Sequence, residues 1–172
     1  MITLVLGGAR SGKSEVGERL ASALGPNVTY VATAIVDLAD DDLADDDLAD
    51  DDFGARIEKH RARRPSSWTT VEAGADLPAV LADLDGPVLV DSLGTWVAAC
   101  AEPDADALCH ALATRVGDTV VVSDEVGLGV HPSSEAGRRF RDLLGTVNRL
   151  VADVADDVLL VVAGRVLPLA RP

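Results

Sequence analysis

An eight-residue segment near the N-terminus has the composition of a phosphate-binding loop. Its residues are Gly7, Gly8, Ala9, Arg10, Ser11, Gly12, Lys13 and Ser14. They satisfy the P-loop pattern G-x-x-x-x-G-K-[ST] at every fixed position. Glycines let successive backbone N–H groups turn inward around phosphate oxygens, and a helix that begins there adds the positive end of its dipole. Lys13 is expected at the β- and γ-phosphates and the Ser14 hydroxyl at Mg²⁺, so the sequence predicts a nucleoside triphosphate site.

A P-loop needs a second carboxylate to position the metal, and that group usually follows another strand. Asp91 comes directly after the apolar run 88–90 and is the natural candidate. Asp124 or Glu125, after the apolar run 119–122, is the rival. We favour Asp91, with Ser14, as the metal ligands, and the choice between the two strands stays open at this point.

The rest of the sequence alternates between apolar runs and helical patterns. Strands are predicted at 2–6, 28–32, 88–90, 119–122 and 158–162. Helices are predicted from Ser14 to Gly25-Pro26, at 53–64 and 77–84, and from about 134 to 154. This alternation predicts an α/β protein with a P-loop (RecA-like) three-layer fold and a mostly parallel central sheet. The length of 172 residues predicts a single nucleotide-binding domain over 1–172.

Three LADDD repeats, from Leu38 to Asp52, form an acidic low-complexity insertion at about 37–52. Charge of this density repels itself, so we expect a solvated loop. The glycine and the terminal glutamate of a calcium-binding EF-hand loop are both missing from it, which argues against a specific cation site.

The overall composition excludes several classes of function. The formal net charge is −14, so binding to nucleic acid or to an anionic membrane would gain nothing from electrostatics. The sequence has no apolar run long enough to span a bilayer, and the residues before Gly7 do not form a secretory signal. Cys100 and Cys109 have no zinc or redox spacing, so we expect two reduced thiols. These features predict a cytoplasmic protein.

Further motifs follow the P-loop in a fixed order. Residues 30–33 are YVAT, 56–72 are RIEKHRARRPSSWTTVE, 124–132 are DEVGLGVHP and 140–148 are FRDLLGTVN. In these motifs, and in GGARSGKS itself, the sequence resembles the bifunctional adenosylcobinamide kinase/adenosylcobinamide-phosphate guanylyltransferases of cobalamin biosynthesis. The resemblance spans nearly the whole chain, although Asp91 stands where some family members have glutamate.

The resemblance implies two reactions on a corrinoid substrate. One phosphorylates the aminopropanol hydroxyl of adenosylcobinamide with ATP or GTP. The other transfers GMP from GTP to that phosphate through a guanylylated histidine and yields adenosylcobinamide-GDP. His60 matches the histidine, and a neutral imidazole is a suitable nucleophile for a two-step transfer. The implied catalytic residues are His60 and Lys13, with Mg²⁺ as the cofactor.

The resemblance also implies nucleotide contacts outside the P-loop. These are Thr33, Ala34, Ile35, Arg61, Ala62, Arg63, Arg64, Glu72 and Asp91. The arginines would neutralise triphosphate charge, and the Glu72 carboxylate would accept from guanine N1–H and N2–H₂. His110 and His131 are interpreted as non-catalytic, and Trp68 and Trp96 as packing residues. The family often forms trimers, so a homo-oligomer is implied.

Two other functions remain open. An enzyme that performs GMP transfer alone would not incorporate phosphate into cobinamide. A P-loop switch or binding module would bind nucleotide without forming covalent GMP and without affinity for corrinoids, since fold does not fix function. His60, within a basic motif, argues against the switch.

Overall fold

The computed structural model describes residues 1–34 and 64–171, and its centre is a seven-stranded sheet. The strands are β1 Ile2–Gly7, β2 Thr29–Ala32, β3 Thr69–Glu72, β4 Val88–Asp91, β5 Thr119–Asp124, β6 Asp157–Val162 and β7 Arg165–Pro168. Their order across the sheet is β3-β2-β4-β5-β1-β6-β7. β7 runs antiparallel to β6, and all other pairs are parallel. This confirms the predicted α/β class and mostly parallel sheet.

Helices pack on both faces of this sheet. They are α1 Lys13–Leu24, α2 Leu77–Ala82, α3 Leu93–Ala99, α4 Ala105–Thr114 and α5 Glu135–Val154, with a 3₁₀ turn at Gly74–Asp76 before α2. On one face, α1 contributes Val16 and Ala21 to a cluster with strand residues such as Val122. On the other face, α2 to α5 pack against β1, β4 and β5 around Trp96 and Leu144. The described residues therefore form three layers.

The central strands are apolar on both sides because both faces are covered. In β1, Leu4 packs in the larger cluster and the next residue, Val5, in the smaller one, and neither is exposed to solvent. Side chains that alternate between two covered faces produce the unbroken apolar runs by which these strands are predicted. The edge strands β3 and β7 are mostly exposed, and their runs are correspondingly less apolar.

The predicted elements agree with the structure to within a few residues. β2 begins at Thr29 instead of residue 28, α2 ends at Ala82 instead of residue 84, and β5 continues to Asp124. The helix predicted from about residue 134 begins at Glu135, because the Ser134 hydroxyl caps its first turn by accepting from the Gly137 N–H. The acidic repeats and the helix predicted at 53–64, apart from Arg64, lie outside the described residues.

Sequence patterns did not predict α3, α4, β3 or β7 as elements. α3 has only seven residues and depends on a capping box between Ser92 and Thr95. β7 follows a two-residue turn at Ala163 and Gly164, both of which have positive φ. In the described part of the chain, no helix combines the length and the apolar character needed to cross a membrane.

Candidate active site

The predicted phosphate-binding loop connects β1 to α1, as its mechanism requires. Gly12, which precedes α1, has a φ of 92°, a conformation that favours glycine. A Cβ atom at Gly7 would collide with Ser11 Oγ and lie 2.9 Å from the Val161 carbonyl oxygen. Within the loop, the Ser11 N–H donates to the Gly8 carbonyl oxygen at 3.2 Å. Glycine is thus required at these two positions by backbone conformation and by space.

The turn between β6 and β7 supports the loop from outside. The Gly164 N–H donates to the Ser11 carbonyl oxygen at 2.8 Å. The Gly164 Cα atom would lie 3.6 Å from a Cβ atom built at Gly12, so the two backbones are close neighbours. The C-terminal hairpin therefore helps to fix the shape of the loop before any phosphate binds.

Asp91, at the end of β4, lies beside Ser14. The Ser14 hydroxyl donates to Asp91 Oδ1 at 3.5 Å, and the Tyr30 hydroxyl donates to Asp91 Oδ2 at 3.3 Å. Burial raises the pKa of the Tyr30 phenol, and the neighbouring Asp91 charge raises that pKa further. The phenol therefore remains protonated and continues to donate to the carboxylate at neutral pH.

The oxygens of Ser14 and Asp91 suit the metal predicted here. Mg²⁺ prefers hard oxygen ligands, retains several waters, and is typically held by one or two protein oxygens together with substrate phosphates. The described residues contain no cluster of three or more His, Cys, Asp or Glu side chains that could hold a metal by themselves. A hydroxyl and a carboxylate at the mouth of a phosphate-binding loop therefore fit Mg²⁺ bound with a nucleotide.

Asp124, the rival carboxylate, contacts Lys13 instead of Ser14. Asp124 Oδ1 lies 2.5 Å from Lys13 Nζ, and the lysine side chain is only 13% exposed. Lys13 Nζ also donates to the Gly8 carbonyl oxygen at 3.4 Å. Asp91 thus contacts Ser14, and Asp124 contacts Lys13. This geometry favours Asp91 as the metal ligand.

Arg64 connects the basic motif to this carboxylate network. Its guanidinium carbon lies 3.6 Å from the centroid of the Tyr30 ring, an arrangement typical of a cation–π contact. The Tyr30 hydroxyl is the group that contacts Asp91. The last arginine of the motif RIEKHRARR is therefore one side chain away from the predicted metal ligand.

Other predicted nucleotide contacts are spread along the same edge of the sheet. Thr33 is completely buried, and its hydroxyl donates to the Ser92 carbonyl oxygen at 2.6 Å and accepts from the Ser92 N–H at 3.0 Å. That hydroxyl thus stabilises the turn after Asp91, and Ala34, the next residue, is partly buried.

Glu72 is exposed at the end of the edge strand β3, level with Ala32, which in turn is level with Asp91. Four strand spacings, or about 19 Å, separate β3 from the P-loop strand β1. Glu72 therefore lies at the same edge of the sheet as Asp91 but not beside the P-loop. Ile35, His60, Arg61, Ala62 and Arg63 lie outside the described residues.

No catalytic role is expected for Trp96, His110, His131 or the two cysteines. Trp96 is 1% exposed, and its indole N–H donates to the Ala75 carbonyl oxygen. His131 Nδ1 lies 2.6 Å from an Arg141 guanidinium nitrogen, away from the P-loop contacts, and His110 is exposed on α4. Cys100 and Cys109 are free thiols, and burial raises the pKa of both.

Sequence reasoning overlooked Tyr30 and undervalued Asn148 as parts of the site. Asn148 is buried on α5, accepts from the Ser123 hydroxyl at 2.6 Å and donates to the Asp124 carbonyl oxygen at 3.0 Å. The available signal for Asn148 is a polar residue among the buried positions of α5, which also include Leu144 and Val147, because a buried polar group needs a specific partner. Tyr30 belongs to the motif YVAT and Asn148 to the motif FRDLLGTVN, and neither motif by itself indicates these contacts.

Known proteins are similar to this chain over nearly its full length. The family described as CobU, cobinamide kinase / cobinamide phosphate guanyltransferase, matches residues 3–169. The bifunctional adenosylcobalamin biosynthesis protein CobP of Pseudomonas aeruginosa is 39% identical over 180 residues, which cover 98% of this chain and 97% of the relative. The bifunctional adenosylcobalamin biosynthesis protein CobU of Salmonella typhimurium is 35% identical over 188 residues, covering 95% and 97%.

Among solved structures, the P4 protein from bacteriophage phi6 in complex with ADP is similar at 17% identity and a TM-score of 0.40, over 96% of this chain and 52% of that one. The family match covers nearly every residue, and two relatives exceed 30% identity over almost their full length. The chain therefore belongs to the CobU family, the bifunctional cobinamide kinase / cobinamide phosphate guanylyltransferases.

Proposed function

We propose that this enzyme phosphorylates adenosylcobinamide and then transfers GMP from GTP to adenosylcobinamide phosphate through a guanylylated His60. The product is adenosylcobinamide-GDP. In the first half of the transfer, an imidazole nitrogen of His60 bonds to the α-phosphorus of GTP and pyrophosphate leaves. In the second half, a phosphate oxygen of the corrinoid displaces the histidine from that phosphorus. The histidine thus divides one difficult displacement into two.

The observation that supports this proposal best is the position of Arg64. The basic motif that contains His60 ends at Arg64, which stacks on Tyr30 at 3.6 Å, and Tyr30 contacts Asp91. His60 precedes Arg64 by four residues, and four residues of extended chain reach about 14 Å at most. The proposed nucleophile is therefore within that chain length of Arg64, whose guanidinium stacks on the ring of the tyrosine that contacts Asp91.

The P-loop and its neighbours would bind the nucleotide. Lys13 and the loop N–H groups would contact the phosphates, and Arg61, Arg63 and Arg64 would neutralise their charge. Thr33, Ala34, Ile35 and Ala62 would contribute the remaining contacts in that region, and Glu72 would accept hydrogen bonds from guanine. Because about 19 Å of sheet separates Glu72 from β1, we place guanine toward β3 and the kinase phosphates at β1.

Ser14 and Asp91 would hold Mg²⁺ together with the nucleotide. When bound there, the ion would neutralise charge on the phosphate oxygens. Tyr30 supports this arrangement because its hydroxyl occupies Asp91 Oδ2 and leaves Oδ1 directed at Ser14. GTP and ATP are the proposed substrates alongside the corrinoid, and we extend the family's trimeric assembly and a cytoplasmic location to this chain as part of the same proposal.

Separate assays of the two reactions test the role of His60. One assay follows γ-labelled ATP into adenosylcobinamide, and the other follows α-labelled GTP into supplied adenosylcobinamide phosphate. We expect His60→Ala to retain phosphorylation and to lose GMP transfer to background. His110→Ala, an exposed histidine on α4, is the matched control and should retain both. GMP transfer by His60→Ala at the wild-type rate would refute the covalent route.

A further inference from the structure

Asp124 lies at the centre of the site, yet the proposed nucleotide and metal contacts give it no role. Its strand, β5, separates the P-loop strand β1 from β4, which ends in Asp91. Asp124 is level with Gly7, the first residue of the P-loop. Its carboxylate contacts Lys13 Nζ at 2.5 Å, and the side chain is 31% exposed. The carboxylate is therefore partly accessible to solvent, next to the proposed phosphate-binding lysine.

Several contacts fix the position of this side chain. The backbone that follows it is held by the Glu125 N–H, which donates to the Gly7 carbonyl oxygen at 3.0 Å, and the Asp124 carbonyl oxygen accepts from Asn148 at 3.0 Å. Gly94, in the first turn of α3, provides the space for the carboxylate, because a Cβ atom there would lie 2.6 Å from Asp124 Oδ2. The carboxylate is thus confined between the start of α1 and the start of α3.

A bound triphosphate would change the environment of the ion pair between Lys13 and Asp124. Phosphate oxygens at Lys13 would compete with Asp124 for the ammonium group and would place anions beside its carboxylate. Like charges at that range repel, so the carboxylate then needs a proton donor as its partner. The alcohol acceptor of the kinase reaction supplies such a donor and must reach the same phosphates.

We propose that Asp124 accepts the proton of the acceptor hydroxyl in the kinase reaction. This inference rests on the proposed placement of the triphosphate at Lys13. The hydroxyl oxygen bonds to the γ-phosphorus, and the bond from that phosphorus to the β–γ bridging oxygen breaks. The nucleoside diphosphate leaves with the electron pair of that bond, and the hydroxyl proton moves to the Asp124 carboxylate. An aspartate has the corresponding task in protein kinases.

The same role is not needed in the GMP transfer. There the acceptor oxygen belongs to a phosphate monoester, whose second pKa of about 6 leaves it mostly ionised at neutral pH. No proton has to be removed from the attacking oxygen. Loss of Asp124 should therefore separate the two reactions of this bifunctional enzyme, whereas loss of a group that binds phosphate or stabilises the fold should impair both.

The test measures both reactions in Asp124→Asn, with Asp118→Asn as the control. Asp118 precedes the same strand at its opposite end and pairs with the N-terminal amine on the surface. We expect Asp124→Asn to lower kcat of the kinase reaction by about 10²–10⁴-fold, the usual contribution of a general base, with KM for ATP little changed. GMP transfer to supplied adenosylcobinamide phosphate should continue at the wild-type rate, which also shows that the variant is folded.

Two further variants make the outcome decisive. Gly94→Ala keeps the carboxylate but displaces it, so the kinase reaction alone should slow. An unchanged kinase rate in Asp124→Asn, or an equal loss of both reactions, overturns the inference. Lys13→Ala separates this failure from failure of the proposed function: if Lys13→Ala leaves the kinase reaction intact, the triphosphate does not bind at the P-loop and the proposed function is wrong at that point.

Discussion

At the scale of single residues, the site depends on how two similar carboxylates are used. Asp91 lies beside the Ser14 hydroxyl, and Asp124 pairs with Lys13. The sequence alone does not decide between them, because both carboxylates end buried strands and the order of the strands across the sheet cannot be predicted from the residues of either strand. The structure assigns them different neighbours because β5 lies directly beside β1, while β4 lies one strand further away.

Tyr30 provides a test of the Asp91 assignment. Its hydroxyl contacts Asp91 Oδ2, so Tyr30→Phe removes that hydrogen bond while keeping the ring beneath Arg64. Partners of metal ligands typically contribute 10–100-fold to metal affinity, and we expect the Mg²⁺ concentration for half-maximal kinase activity to rise by about that factor. A magnesium titration of both proteins measures the shift. An unchanged midpoint would mean that Asp91 is not oriented by Tyr30 or does not bind the metal.

At the scale of elements, α5 holds the end of β5 in place through one buried amide. Asn148 accepts from the Ser123 hydroxyl and donates to the Asp124 carbonyl oxygen. Such tertiary contacts cannot be predicted from helical periodicity, which identifies the apolar face of α5 but not the partner of a polar residue on it. The helix itself was predicted correctly because Ser134 and the repeating apolar positions are local signals.

We expect Asn148→Leu to destabilise the protein by about 2–4 kcal/mol, since it leaves a buried hydroxyl and a strand-end carbonyl without their partner. Urea denaturation of the wild type and the variant measures the difference. Ser123→Ala supplies the second arm of a double-mutant cycle, in which its cost should be smaller in the Asn148→Leu background. Strictly additive costs would show that the amide and the hydroxyl do not interact.

The difference between local signals and tertiary contacts also explains which elements can be predicted from the sequence. Central strands stand out as apolar runs because both of their faces are covered, and they bring the P-loop, Asp91 and Asp124 to one edge. The sequence does not predict α3, α4, β3 and β7, because these elements are short, exposed at the edge of the sheet, rich in small residues or dependent on a turn. α3, for example, has a weak periodic signal and is defined by its capping box. The positions of the P-loop and of the two strand-end carboxylates are therefore predictable from the sequence, whereas their supporting contacts are not.

At the scale of the whole molecule, the burial of Tyr30 against one covered face of the sheet makes the free energy of unfolding depend on pH in the alkaline range. Tyr30 is 7% exposed in the smaller apolar cluster, and burial raises the pKa of its phenol in the folded state. An unfolded tyrosine ionises near pH 10. The contribution of Tyr30 to stability is therefore complete below pH 10 and declines as pH rises above it, because only the unfolded chain can release the proton.

We expect the free energy of unfolding of the wild type to decrease above pH 10 more steeply than that of Tyr30→Phe, by at most about 1.4 kcal/mol per pH unit. Denaturant titrations of both proteins between pH 8 and 11 give this difference, and the contributions of the two thiols and the two lysines, which are common to both proteins, cancel in it. Parallel curves would show that the phenol ionises equally easily in the folded protein.

The most direct test of the central claim is detection of GMP on the enzyme itself. Purified protein is incubated with Mg²⁺ and α-³²P-GTP, denatured and examined for label, beside His60→Ala and the exposed-histidine control His110→Ala. We expect a label that is labile to acid and stable to alkali, present in the wild type and in His110→Ala and absent from His60→Ala. A folded, GTP-binding wild type that takes up no label, or a label that persists in His60→Ala, would contradict the guanylyl-histidine route.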